Sequence, residues 1–155
     1  MRRQDREITD REALLAILDS CKVCRIAMRD EEGLYIVPMN FGYVYEEGSL
    51  CLYFHCAGEG RKIDALAAHP QVAFEMDGGH ALVEGDVACA YAYRFHSIVG
   101  SGEAAFVEEA AEKKKALALL MRHQTGRDFV FDDRMAAGVT VFCIRAAAFT
   151  GKVHL

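Results

Sequence analysis

The segment 53–70, YFHCAGEGRKIDALAAHP, sets one imidazole, two glycines and two cations close together: His55, Gly58, Gly60, Arg61 and Lys62. Two kinds of chemistry follow from these residue types. Imidazole titrates near neutral pH and can pass a proton. Arg61 and Lys62 stand where a short helix would begin, and the positive end of the backbone dipole disfavours cations there by about 0.3 to 1 kcal/mol. A bound anion explains them, because first-turn N–H groups, the dipole, a guanidinium and an ammonium would converge on one phosphate. Two solvated side chains whose stems lie along the fold explain them as well, and spacing alone leaves both readings open.

Other chemistries lack the residues they need. The loop GEGRK has neither the Walker A spacing nor its magnesium-binding hydroxyl, and it lacks the third glycine of a dinucleotide fingerprint. Ser101, in VGSGE, does not sit in a nucleophile elbow and has no base nearby. Cys21 and Cys24 form a single C-x-x-C with no second pair and no neighbouring histidine, and read as two ordinary thiols. No two of the six histidines have H-x-x-x-H spacing, so no metal site is expected.

The elements that must position these residues can be read from pattern. Thr9 and Glu12 have capping-box spacing ahead of EALLAILDSC, which predicts a helix over 10–20. KVCRIAMR, LYIVPMNFGYVY and SLCLYFH are rich in β-branched and aromatic residues and are separated by DEEG and EEGS, which predicts a three-stranded antiparallel meander. RKIDALAAH predicts a helix closed by Pro70, followed by strand-like QVAFEMD, HALVEGDVACAYAY and HSIVGSGEAAFV. EEAAEKKKALALLMRHQTG has acidic residues early, basic residues late and Gly126 just past its end, the pattern of a well-terminated helix. VTVFCIRAAAFTGKVHL returns to strand. Six or seven short strands with three helices predict one domain over 1–155, a small antiparallel barrel with helices at its ends.

Charge narrows the partners. With 155 residues, a net charge of -5 and a pI near 5.7, the chain has no electrostatic grip for nucleic acid or an anionic membrane. MRRQDREITD has no apolar stretch after its charges, no later run could span a bilayer, and the six cysteines suit reduced thiols. A soluble cytoplasmic protein is expected.

Taken in order, VPMNFGY, LYFHCAGEGRKIDAL, HSIVGSGEA, EKKKALALLMRHQTG and the closing FTGK resemble the FMN-binding split-barrel superfamily, most of all the pyridoxamine 5'-phosphate oxidase-like proteins of the 5-nitroimidazole resistance group. The resemblance covers nearly the whole chain. It implies a mainly β protein with helices, a six-stranded antiparallel split barrel that forms a homodimer with two FMN sites at the subunit interface. It assigns the FMN phosphate to Gly60, Arg61 and Lys62, and the isoalloxazine ring to Asn40 and the main chain of Val37, Pro38 and Met39. Phe54 and His55 would lie near the flavin, with Ser97 and Val99 approaching from a strand at the interface. The chain departs from true pyridoxamine 5'-phosphate oxidases, which carry a Trp and an Arg-rich substrate motif near the C-terminus. There is no Trp here and AAAFTGKVHL holds no such cluster, so vitamin B6 oxidation is not expected.

FMN would supply the hydride or electron chemistry, which explains the lack of a catalytic triad. Strand N–H groups could stabilise a reduced flavin anion, and Pro38 suits such a strand at an edge or bulge. His55 could deliver a proton to a reduced substrate, or it could be a structural or ribityl contact. Two functions stay open: an FMN-dependent oxidoreductase acting on small electron-poor molecules such as nitro-heterocycles, or a non-enzymatic flavin- or haem-binding protein. A deazaflavin in place of FMN is a variant of the first.

Overall fold

The computed structural model describes residues 4–154. After a single 3-10 turn come β1 (Glu7–Ile8), α1 (Arg11–Ser20), β2 (Val23–Asp30), β3 (Gly33–Asn40), β4 (Gly42–Glu46) and β5 (Ser49–Cys56). α2 (Arg61–Ala68), β6 (Gln71–Val83), β7 (Ala92–Val107), α3 (Ala110–Thr125), α4 (Asp133–Ala137) and β8 (Thr140–His154) complete the chain. The strands make one sheet in the order β3-β2-β6-β7-β8-β5-β4, with β1 added beside β8. Its eight strands exceed the six expected, and it does not close, since β3 and β4 end it as separate edges.

The predicted meander is corrected at Phe41. LYIVPMNFGYVY is not one strand but two, and they leave for opposite ends of the sheet: β3 pairs with β2, and β4 pairs with β5. Phe41 is fully buried at the break, where aromatic character reflects core packing and not strand continuity. Gly42 follows it, and a Cβ there would meet the backbone of Leu120 in α3 at 2.5 Å. Only glycine lets the helix lie that close.

The first helix starts one residue later than its capping-box reading. Asp10, not Thr9, is the N-cap, and its carboxylate accepts from the Ala13 N–H at 2.9 Å. α3 ends as expected, with Gly126 in the left-handed conformation at φ 71°. α4 was not anticipated. It is a short turn of helix whose Asp132 cap accepts from the Met135 N–H at 2.7 Å.

The core is aromatic at its centre. Phe41, Phe54, Phe74 and Phe142 are fully buried with Ile26, Leu52, Met76, Ile98 and Ile144, and Phe54 stacks on Phe142 with ring centroids 5.0 Å apart. A smaller cluster of Ala116, Leu117, Ala136 and Val141 seats α3 and α4 on the sheet. Among the described residues no helix is long and apolar enough to cross a membrane.

Candidate functional site

Sequence reasoning brought forward two groups of residues, and the fold holds them in two places. The first is the start of α2. Gly60 is its N-cap, at φ 123°, and offers no side chain to the helix. The Ile63 and Asp64 N–H groups both turn back to the Gly60 carbonyl, at 2.8 and 3.2 Å. The N–H groups of Arg61 and Lys62 precede the helical ladder, as the first donors of any helix do.

The two cations are held differently. Arg61 Nε donates to Asp30 Oδ2 at 2.5 Å and its Nη2 donates to Asp30 Oδ1 at 3.1 Å, while Nη1 lies 3.3 Å from Glu32 Oε2. The guanidinium also lies 4.5 Å over the Tyr35 ring. Its hydrogen bond holds the Asp30 carboxyl below the usual carboxylate range. The turn DEEG thus supplies the negative charge that balances a cation at a helix start. Lys62 is half-buried and makes no ion pair or hydrogen bond among the described residues. Its charge is felt at Cys56, whose thiol burial pushes up and Lys62 pulls down.

His55 is exposed near the end of β5, opposite Val141 of β8. Phe54 beside it belongs to the core, so any contact from Phe54 to a ligand is through its main chain.

The second place is the outward face of the sheet. Pro38 lies on the edge strand β3, where a residue without an N–H is tolerated. Pairing runs from Pro38 to Arg25, Glu75, Val99 and Thr150, one rung across five strands with all five side chains on the same face. Ser97 stands on the neighbouring rung between Asp77 and Lys152. Leu34, Ile36 and Val99 are 87%, 64% and 51% exposed. Tyr35, Val37 and Met39 alternate with them and pack against the core, leaving their main chain for the edge. Charges in the middle of the face are paired: Arg25 Nη1 donates to Glu75 at 3.0 Å and to Asp77 at 2.7 Å, and His80 Nε2 lies 2.8 Å from Asp77.

Asn40 is engaged within the fold. Its amide donates to the Lys22 carbonyl at 3.0 Å and to Gln124 Oε1 at 3.1 Å, while Gln124 donates to the Phe41 carbonyl at 2.9 Å. This clamp ties the β3–β4 break to the end of α3. Sequence reasoning missed it, along with the Asp30, Glu32 and Tyr35 partners of Arg61. The only signal for the latter was an acidic turn, and nothing in the order of residues shows that strand pairing carries it to the helix start.

The structure therefore gathers Pro38, Ser97 and Val99 on one face, sets Gly60 and Lys62 at the start of α2, and leaves His55 near the end of β5. The open cavity at Arg61, about 520 Å³ and lined by Asp30, Glu32, Asp64 and His69, contains neither His55 nor Ser97.

In sequence, residues 10–153 match the pyridoxamine 5'-phosphate oxidase family. The chain belongs to that family. Its fold is the family's split barrel, a flavin-binding architecture. No curated protein matches the chain. Among solved structures, a candidate 5-nitroimidazole antibiotic resistance protein from Bacteroides thetaiotaomicron is 34% identical, with a TM-score of 0.81 over 95% of this chain and 86% of that one. Two others share the fold at a TM-score of 0.79. An FAD and heme binding protein from Mycobacterium smegmatis is 17% identical and aligns with 96% of this chain and 73% of its own. A flavocytochrome from Azotobacter vinelandii is 21% identical and aligns with 100% of this chain and 72% of its own.

Proposed function

We propose that the chain is an FMN-dependent oxidoreductase that forms a homodimer through its outward sheet face and reduces small electron-poor molecules such as nitro-heterocycles. The observation that carries this reading is the outward sheet face, which exposes Leu34, Ile36 and Pro38 on its edge strand and Val99 beyond the Arg25–Glu75 ion pair. Exposed apolar surface on a sheet edge is often covered by a partner, and the 34% identity to a candidate nitroimidazole resistance protein supports nitro-heterocycles as the substrate class.

The residues present fit the cofactor at its phosphate. A helix start without a side-chain cap, beside a lysine with no ion pair among the described residues, suits a dianion. Lys62 and the first turn of α2 hold that phosphate in this reading. Arg61 supports the loop by pinning it to Asp30 and Glu32, a narrower role than direct phosphate binding. Bound FMN supplies the electron chemistry. The edge of β3 offers main-chain N–H donors to the ring, Ser97 and Val99 border it, and His55 holds a proton for the reduced substrate.

The test is reconstitution followed by single turnover. The protein should take up FMN with a flavin spectrum, and a Soret band would support the haem-binding alternative instead. His55→Ala should retain FMN but slow oxidation of the reduced flavin by a nitro-substrate by roughly 10²-fold. Loss of FMN with an unchanged rate would make His55 a cofactor contact.

A further inference from the structure

The β6–β7 hairpin runs past the sheet it belongs to. β2 pairs with β6 only across residues 73–75, and β8 follows β7 no further than Phe95, opposite His154. Residues 81–83 and 92–94 therefore pair only with each other among the described residues, and with the loop between them they form a free two-stranded arm. A ribbon of this kind is at best marginally stable in water unless something packs on it. The arm nevertheless gathers Leu82, Val87, Tyr91 and Tyr93, each between 48% and 59% exposed.

The base of the arm decides which way these side chains point. β6 carries one extra residue between Gly78 and Ala81, where Gly79 is left-handed at φ 66°, and this bulge sets Leu82 opposite Tyr93. His154 Nδ1 donates to the Tyr93 carbonyl at 2.8 Å and ties the arm to β8. Between Tyr93 and Val99 β7 pairs without a bulge of its own, so Tyr93 and Leu82 share the outward face with Val99.

We propose that this arm grips a second copy of the chain, each copy's arm lying over the other's β2–β3 hairpin beside Leu34. The contact presupposes the homodimer proposed above and specifies what holds it. The arm leaves the face at the end where β2 begins, whereas Arg29 and Leu34, paired with each other, stand at the opposite end. A two-fold axis running across the strands lays one end over the other, so the same contact is made twice. The charges match: Glu84 and Asp86 on the arm, and Arg29 at the far corner, are exposed and make no ion pair among the described residues. Leu82 and Tyr93 then meet Leu34 and Ile36, two exposed apolar surfaces that cover each other. The β2–β3 turn holds Arg61 through Asp30 and Glu32, so the arm of one copy closes over the start of α2 in the other.

The test uses the full chain and the exposed thiol of Cys89, which lies in the arm's loop. In Leu34→Cys a short bis-maleimide should give a covalent species of two chains whose digest joins position 34 to Cys89, and adding Cys89→Ser should abolish it. In Glu46→Cys, with the new thiol on the β4–β5 hairpin, no link to Cys89 should form. Arg29→Glu should weaken association by roughly ten-fold, as should Glu84→Lys with Asp86→Lys, and combining all three should recover most of the loss, which misfolding would not do. If the parent sediments as two chains while position 34 never joins Cys89, or position 46 joins it equally well, the arm is not the grip and the dimer stands without it. A parent that sediments as one chain would overturn the dimer and the arm contact together.

Discussion

The hairpins at the two ends of the sheet can be set side by side. β4–β5 lies under α3, with Gly42 against the helix backbone and Tyr53 and Val141 packed into the α3–α4 cluster. β2–β3 has its inner face in the core but leaves Leu34 and Ile36 to solvent, at 87% and 64% exposure. Both are built from β-branched and aromatic residues with an acidic turn. The difference is that α3 lies over one hairpin, while on the other α2 packs on β2 and, among the described residues, Leu34 and Ile36 stay uncovered. A sheet edge with exposed apolar side chains invites pairing unless something covers it, and in the present reading a second copy, with the flavin between, provides the cover.

The largest expected effect comes from breaking the uncovered side. Ile36→Arg would bury an unpaired charge in the dimer, at a cost of several kcal/mol, and should weaken association by roughly 10²- to 10³-fold. Sedimentation equilibrium checks this, with far-UV circular dichroism unchanged because Ile36 does not pack in the core. An unchanged dimer mass would place the interface elsewhere.

On the covered side, Gly42→Ala should do the reverse. Its methyl group meets the Leu120 backbone, and overpacking of this kind costs about 1 to 3 kcal/mol. The denaturant midpoint should fall while the folded protein keeps its association constant. A midpoint equal to that of the parent would mean that α3 is free to shift.

Lys62→Ala sharpens the comparison at the start of α2. Loss of one charge-assisted bond should weaken FMN binding by roughly ten- to a hundred-fold and leave riboflavin, which lacks the phosphate, nearly untouched. Arg61→Ala should weaken both flavins alike, because Arg61 is engaged with Asp30 and Glu32. If only FMN suffers in Arg61→Ala, the guanidinium leaves Asp30 for the phosphate.

The smallest effect concerns Asp30. Arg61 depresses its carboxyl in the folded state, so the contribution to stability is present above the ordinary carboxylate value of about 3.9. It is lost as pH falls through the lower folded value. Thermal melts of the parent should therefore decline across this window, and Asp30→Asn should flatten that part of the decline. Identical acid profiles would show that the ion pair contributes nothing to the fold.

How far the chain could be read in advance follows the range of the interactions. α3 was legible because its signals are local: acidic residues in the first turn, basic residues in the last, and Gly126 at its end. The edge position of Pro38 was legible because proline lacks a donor. The break at Phe41 was not, since a buried aromatic looks the same within a strand as between two. Arg61 shows the same limit within the candidate site. Its position at a helix start was visible, but its partners lie on a hairpin that only the pairing of β2 with β3 and the packing of α2 on β2 bring near. Asn40 was expected along the flavin, and its amide is hydrogen-bonded to the Lys22 carbonyl and, across more than eighty residues of chain, to Gln124.

The central claim is that the uncovered face joins two copies around a flavin. Sedimentation velocity of the protein reconstituted with FMN, followed by protein absorbance and by visible flavin absorbance in the same run, tests it most directly. The account predicts one boundary at the mass of two chains, with both signals moving together at one flavin per chain. A boundary at the mass of one chain that still carries stoichiometric flavin would contradict it.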